Sequence, residues 1–401
     1  MAERDYYEDL CKFYEFAVGE IPNRNEFKEA LQKTIAAEDL GVFFLLPPSG
    51  NITLTKLEKK AKIPPDELRG KLKRLASEGF IRAYKTKSGY TYERGNIVFM
   101  TEQQVRKKEE TPQRTFFARF FNNLIEGKAG VAVPTKTPHF RAVPAEPAII
   151  KSSELRTIDI NVVIPYLRGV LPIDIVTEMV RKQGALIGVA ECFCRRTKKI
   201  LGEMDESSHH PLETCFSFNE QAETLIEHGF ARKIDYDEMI AILKDCEARG
   251  FIHNVDNCRR QIQTLCNCCS CCCVLIKSIM RGETHVVASS RYMVNFDVER
   301  CENCKTCVTR CPINTRSVIY EKVVVDTDRC IGCGLCATTC PTGASKMVLR
   351  KKTRKIPRSY TELNKKLVRE VVVSFAKRKI SKISKKITGL MPKHSWYKPR
   401  R

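Results

Sequence analysis

Two cysteine runs of one grammar, Cys301-x2-Cys304-x2-Cys307-x3-Cys311-Pro312 and Cys330-x2-Cys333-x2-Cys336-x3-Cys340-Pro341, constrain this chain more than any other feature. Three cysteines on a tight loop can wrap one side of an iron–sulfur cube, whose four irons each need a thiolate, and in this spacing the fourth cysteine of each run serves the other cluster. The expected ligand sets are therefore Cys301, Cys304, Cys307 and Cys340 for one [4Fe–4S] cluster, and Cys330, Cys333, Cys336 and Cys311 for a second. Pro312 and Pro341 lack an N–H and fix φ, which stops helix just past each crossing cysteine. Disulfides or zinc would not call for eight thiols in this order with both prolines.

The runs sit in an internal repeat offset by 29 residues, in which Asp297-Val298-Glu299-Arg300 aligns with Asp326-Thr327-Asp328-Arg329. Val323, Val324 and Val325 read as a short strand, with Val318-Ile319-Tyr320 as its partner. Over about residues 292–346 the chain resembles the bacterial-type two-cluster ferredoxin. That resemblance implies a β-α-β repeat with pseudo-twofold symmetry and two clusters close enough for fast electron exchange. In the second loop Gly332 and Gly334 let backbone N–H groups approach the cluster. The first loop carries Glu302, Asn303, Lys305 and Thr306 instead, so its backbone is expected to be less compact and the Lys305 charge to make its cluster the easier to reduce.

Twenty cysteines behind a polar, acidic start unlike a signal peptide point to a reducing compartment, where thiols serve metals. No apolar stretch reaches the ~18 residues of a membrane span. The chain is therefore expected to be cytoplasmic, in an anaerobe. Its length suggests several domains, and the fold class expected is α+β, multidomain. The divisions are a winged-helix-like domain over 1–105, a linker or wrapping arm over 106–150, an α/β cysteine-rich metal-binding domain over 151–290, the ferredoxin-like unit over 291–346, and a basic helical tail over 347–401. The formal charge of +22 belongs mostly to the end of the chain, because residues 345–401 hold 20 Lys/Arg against only Glu362 and Glu370.

The middle region carries a second thiol constellation. It runs Cys192-Phe193-Cys194-Arg195-Arg196, then Cys215, Cys258, and Cys266-Asn267-Cys268-Cys269-Ser270-Cys271-Cys272-Cys273. Residues 185–189 read as a strand that delivers Cys192 and Cys194 on one side of an extended chain. Helices are expected over Asn219–Glu227 and, behind the Asp235-x-x-Glu238 capping box, up to about Ala248. On the latter Cys246 follows the apolar stripe and reads as core, as does Cys11 beside Leu10 and Phe13. Six cysteines in eight residues do not read as packing, because soft thiols side by side in a reducing cell bind metal or oxidise. The candidate ligands are Cys192, Cys194, Cys215, Cys266, Cys268, Cys269, Cys271, Cys272 and Cys273, for a third iron–sulfur cluster or zinc, with thiols enough for two centres. The arrangement over about 185–280 resembles the cysteine-rich region of little-characterised multi-cluster ferredoxin-like proteins of anaerobes, which implies a metal site and no particular reaction. His209, His210 and His253 read as solvated loop residues, and Arg195 and Arg196 as compensation for thiolate charge.

Residues about 25–100 read as helices followed by a hairpin: Glu26 to Leu46, Thr55–Ala61, a helix from Pro65 to near Gly79, then a hairpin turning at Lys87-Ser88-Gly89. The order resembles a winged-helix domain. Arg69, Lys71, Lys73, Arg74, Lys85 and Lys87 could contact DNA phosphates, but Glu58, Asp66, Glu67 and Glu78 offset them, which favours protein docking or packing. Pro134, Pro138, Pro144 and Pro147 suggest an extended arm. In the tail Leu363, Leu367, Val371, Phe375, Ile380, Ile383, Ile387 and Leu390 form an apolar seam among lysines, suited to an anionic membrane surface or an acidic partner, with Trp396 and Tyr397 favouring an interface.

The function expected from these features is relay of low-potential electrons through two [4Fe–4S] clusters, to or from a middle metal centre or a partner oxidoreductase. The alternatives are a reductase whose catalytic site is the middle cysteine cluster, and a redox-sensing DNA-binding regulator. Neither a GxGxxG opening a helix after a strand nor a P-loop occurs, so no nucleotide site supports the reductase. No catalytic residue is assigned. Whether the chain is an enzyme stays open at this point.

Overall fold

The computed structural model describes residues 4–86, 89–126, 135–152, 174–181, 186–204, 209–283 and 285–390. Lys87, Ser88, Pro134, Trp396 and Tyr397 lie outside these residues, as do the side chains of Ile380, Ile383, Ile387 and Leu390.

The first unit is helical with a small sheet. It runs α1 (Tyr6–Val18), α2 (Arg24–Thr34), α3 (Ala37–Leu45), β1 (Ile52–Thr53), α4 (Leu54–Ala61), α5 (Pro65–Ser77), β2 (Ile81–Thr86), β3 (Gly89–Arg94), α6 (Ile97–Arg106) and α7 (Pro112–Glu126). The long helix expected from Glu26 to Leu46 is two helices, broken where Ile35 and Ala36 turn extended. Asp5 caps α1 by accepting from the N–H groups of Tyr7 and Glu8. Strands β1 and β2 flank β3, antiparallel. Leu10, Phe27, Phe43, Leu57, Leu68, Leu72 and Phe80 share one core. Asp39, buried in α3, takes two hydrogen bonds from Arg74 of α5, at 2.8 and 2.7 Å, with Lys71 alongside.

That core also takes in Phe117 and Phe120 of α7. Within the stretch read above as a linker or arm over 106–150, Pro112–Glu126, Phe140–Val143 and Glu146–Lys151 therefore form regular elements. Phe116, Phe117, Phe120 and Phe121 recur at helical spacing and seat α7 against α2 and α6, while Phe121 meets Phe193 at 4.7 Å.

The middle unit is built on a seven-stranded sheet. Its elements are β4 (Phe140–Val143), α8 (Glu146–Lys151), α9 (Val176–Arg181), β5 (Ile187–Glu191), α10 (Phe193–Ile200), β6 (Glu213–Phe218), α11 (Asn219–Glu227), β7 (Arg232–Ile234), α12 (Tyr236–Ala248), β8 (Ile252–Asp256), β9 (Thr264–Cys268), α13 (Val274–Met280) and β10 (Val287–Ala288). The strand order is β10-β4-β8-β9-β6-β5-β7, antiparallel except for the β10–β4 pair. Asp235 caps α12 through Glu238 N–H at 2.8 Å, as its sequence motif predicts. Strand β4, from the stretch read as an arm, lies inside the sheet with Arg141, Ala142 and Val143 buried. Its prolines punctuate the ends of elements: Pro138 and Pro144 bracket β4, and Pro147 opens α8.

Two small antiparallel sheets follow. Strand β11 (Tyr292–Phe296) pairs with β14 (Ser345–Leu349), and β12 (Arg316–Ile319) with β13 (Lys322–Val325). The single-turn helices α14 (Thr306–Thr309) and α15 (Leu335–Thr338) lie between them in sequence. The chain ends in α16 (Tyr360–Leu390), whose first turns are docked on the rest of the protein. Leu363 and Leu367 enter the core beneath the large sheet, Glu370 accepts from Thr137 N and Oγ1 at 2.9 and 2.6 Å, and Phe375 packs tilted against Phe16 of α1 at 4.3 Å. No helix among the described residues is long and apolar enough to cross a membrane.

Because Leu363 is wholly buried, Leu363→Ala is expected to destabilise the protein by about 2–5 kcal/mol. Val372→Ala, on the outer face of the same helix, should cost below about 0.5 kcal/mol. Anaerobic urea denaturation of the two variants checks the difference.

Candidate metal centres

The small sheets bring the eight repeat cysteines to two cavities. One is lined by Cys301, Cys304, Cys307 and Cys340 with Phe296, Val323 and Pro341. The other is lined by Cys311, Cys330, Cys333 and Cys336 with Val294, Ile313, Ile331, Leu335 and Met347. Each cavity thus gathers three thiols from one run and the fourth from the other. Backbone N–H groups point at the sulfurs: Asn303 to Cys301, Thr315 to Cys311 and Ser345 to Cys340, each at 3.4 Å. Four converging thiols in an apolar lining, with N–H donors at the sulfurs, suit the donor chemistry of a [4Fe–4S] cluster.

The two loops share a backbone despite their different residues. Asn303 and Lys305 adopt φ of 54° and 61°, at the repeat positions of Gly332 (71°) and Gly334 (80°). The first loop is therefore as tightly wound as the second, contrary to the expectation above. Packing explains the glycines. A Cβ on Gly332 would stand 2.0 Å from Tyr292 O of β11, and one on Gly334 2.8 Å from Ala148 Cβ of α8, where the second loop is pressed onto the middle unit. The first loop faces outward, where side chains have room, and tolerates left-handed Asn and Lys.

Lys305 does not aim its charge at the sulfurs; its Nζ pairs with Glu321 at 2.7 Å. The cation set among the thiols is Arg316, which the sequence reading missed. Arg316 is buried, stacks over Phe296 at 5.4 Å, lines the second cavity, and also contacts the Cys307 sulfur of the first. Burial works against its charge, but the Cys336, Cys307 and Cys311 sulfurs outweigh this and leave its pKa raised.

In the middle unit the nine candidate cysteines fall into two groups. The sheet assembles the first: Cys215 of β6 and Cys266 of β9 are register partners, and Cys268 is two residues further along β9 on the same face. Cys192 and Cys194 lie at the start of α10, in its N-cap and first turn, and not on an extended strand as expected; the helix begins at Phe193, whose ring packs against Phe121. Cys273 is the N-cap of α13. Each thiol then neighbours the next from Cys192 to Cys194, Cys273, Cys268, Cys266 and Cys215 and back to Cys192. This closed circuit of six thiols is buried except for partial exposure at Cys266. Cys192 is held well below the usual thiol range by hydrogen bonds from Cys194 and Cys215, with Arg195 adding to the effect. Cys268 is held at about 7 by Cys266 and Cys273.

Two buried arginines face this ring. Arg195, with no exposed surface, donates to the carbonyl oxygens of Pro211 (2.9 Å) and Asn267 (2.8 Å) and lies over the Phe251 ring at 4.2 Å. Arg106 arrives from α6 of the first unit, donating to Glu191 O at 3.0 Å with Cys215, Cys192 and Cys266 nearby. Arg196 pairs instead with Glu191 at 3.2 Å.

The second group is Cys269, Cys271 and Cys272, with the Cys271 sulfur 3.3 Å from each of the other two. His210, on the loop before β6, stands beside them half-buried rather than solvated. His253 is no loop residue: it is buried on β8 with Nδ1 2.6 Å from Asn267 Oδ1, and burial lowers its pKa. His209 is exposed. Cys246 packs beside Cys269 and Cys272 and is pushed up to about 12 by burial, and Cys11 sits in the first core.

A 4Fe-4S binding domain matches residues 323–346, a segment that contains Cys330, Cys333, Cys336 and Cys340. This part of the chain is an iron–sulfur domain. No curated protein and no solved structure matches the chain. A domain of this kind points to electron transfer, and the first run, with Cys301 to Cys311, lies outside the matched segment.

Replacing Arg316 with leucine removes a buried positive charge from beside the iron–sulfur domain's thiols. The reduction potential is expected to fall by on the order of 50–100 mV. Lys305→Ala, whose charge is already paired at the surface, should shift it far less. Anaerobic redox titration followed by EPR compares the two.

Proposed function

We propose that the chain is an iron–sulfur electron-transfer protein with two [4Fe–4S] clusters, one held by Cys301, Cys304, Cys307 and Cys340 and the other by Cys330, Cys333, Cys336 and Cys311. A third iron–sulfur centre occupies the ring of Cys192, Cys194, Cys215, Cys266, Cys268 and Cys273. Clusters in these places would supply reversible one-electron redox chemistry.

The observation that carries this reading is a shared core. Cys311 and Cys333 pack against the same apolar cluster that contains Cys268 and Cys273, alongside Ala145, Ala148, Ile252 and Ile276. Ala145 N–H donates to Cys333 O at 2.8 Å across that junction. The residues therefore grade from surface to interior: Cys304 is exposed, the Cys330 set is half-buried against α8, and the ring is enclosed. A redox partner protein would meet the Cys304 side. Apolar packing around the inner thiols keeps water and adventitious oxidants from them.

The other readings find less support. A reductase needs an approach for substrate to the ring, yet the cleft of about 1100 Å³ between the β2–β3 hairpin, the sheet and Tyr360 has no cysteine among its described lining residues. A DNA reader needs free cations on its recognition helix. If the first unit is winged-helix-like, α5 is that helix, and there Arg69 pairs with Glu58 and Lys71 and Arg74 with Asp39. We read that unit as a docking and packing element that also delivers Arg106 to the ring. The lysine-rich end of α16 fits an acidic partner or an anionic membrane surface, in a protein of the cytoplasm.

Anaerobically purified protein is expected to hold about 12 irons or more per chain, eight of them in the repeat. Cys266→Ser should lose the ring's share while the EPR signals of the reduced ferredoxin-like unit persist. A count near eight that Cys266→Ser leaves untouched removes the inner centre, and colourless, iron-free protein removes the whole reading.

A further inference from the structure

Among the described residues, His210, Cys269 and Cys271 are the one group of such donors whose ligating atoms all lie within 4.8 Å of one another. The Cys272 sulfur stands outside that group, 3.3 Å from that of Cys271, and offers a fourth donor to an ion bound there. The geometry points to a mononuclear metal site here, separate from the six-thiol ring, in which Cys269, Cys271, Cys272 and His210 hold a single tetrahedral zinc ion.

Compactness is the first argument. Thiolates on one tetrahedral zinc stand about 3.8 Å apart, given Zn–S bonds of about 2.3 Å. The sulfur separations of 3.3 Å around Cys271 need only a slight expansion to meet that distance.

The histidine is also held in place from both sides. Pro211 O, just after it, accepts from Arg195 Nη1 at 2.9 Å, and His209 O, just before it, accepts from Arg249 Nη1 at 3.1 Å. The imidazole itself stands edge-on to Phe251 at 4.9 Å. Phe251 and Cys246 form the apolar floor under Cys269 and Cys272. Charge agrees with this arrangement. Three thiolates and a neutral imidazole around a divalent ion leave one net negative charge, and the Arg195 guanidinium against Cys269 supplies the balancing positive one. Arg195 thereby touches both centres, facing Cys192 of the ring and Cys269 of the zinc site.

The site goes beyond the electron-transfer reading and does not depend on it. The test uses the full chain, expressed with iron and zinc both supplied and purified anaerobically. Metal analysis is expected to find about one zinc per chain besides the iron, and zinc-edge X-ray absorption to fit three sulfurs and one nitrogen. His210→Ala and Cys271→Ser should each lose that zinc with the iron content unchanged, and Cys266→Ser should keep it. Absence of zinc from the unmodified protein, a zinc bound by four sulfurs or by oxygen ligands, or a zinc that survives both His210→Ala and Cys271→Ser overturns the inference. Failure of the electron-transfer reading would register in the iron count and EPR signals, whatever the zinc result.

Discussion

Sulfur ligands packed away from water bring negative charge into a medium that disfavours it, and the burial of cations beside them is the constraint around which this molecule is arranged. Arg316 lies between the two repeat cavities, Arg195 faces both the six-thiol ring and the Cys269 group, and Arg106 lies near Cys215, Cys192 and Cys266 of the ring. They come from three distant parts of the chain. Arg106 ends a helix of the first unit, so that unit cannot be parted from the ring without stripping it of a cation. Guanidinium suits the task because it keeps its proton under burial and spreads its donors over several carbonyls, as Arg195 does with Pro211 and Asn267.

Shared packing then ties the thiol groups together. The apolar cluster that holds Cys268 and Cys273 also receives Cys311 and Cys333, so the interior of the middle unit and the wall of the second repeat cavity are one core. Gly334 of the second loop records the same contact from the other direction, since Ala148 leaves no room for a Cβ there. The tail helix closes the arrangement by running from the large sheet, through Leu363 and Glu370, to Phe16 at the start of the chain.

Much of the local structure was legible because its signals are local. Asp235 and Glu238 announce the start of α12, Pro65 opens α5, and the valines at 323–325 pair as their β-branching suggests. The arm over 106–150 was misread because its prolines were weighed above the phenylalanine spacing of α7, and because β4 is only four residues long and owes its place to β8 and β10 on either side. His210 and His253 were both assigned to solvated loops on polar neighbours alone. His253 is buried against Asn267 and His210 is half-buried against Phe251, partners that no nearby sequence pattern names.

The order and spacing of cysteines determined by themselves that this chain would carry thiolate-bound metal, since a loop of three cysteines and a proline-stopped fourth can be recognised within a dozen residues. The division of the nine middle cysteines into an enclosed ring and a compact group with His210 was decided only by tertiary structure. Cys268 and Cys269 are adjacent in sequence and go to different groups, because β9 ends between them and the chain turns out of the sheet. Cys192 and Cys266 are far apart in sequence and meet because β5, β6 and β9 are neighbours. Ligand spacing is a property of a short loop, whereas which sulfurs stand together depends on strand register and on what else the core has to bury.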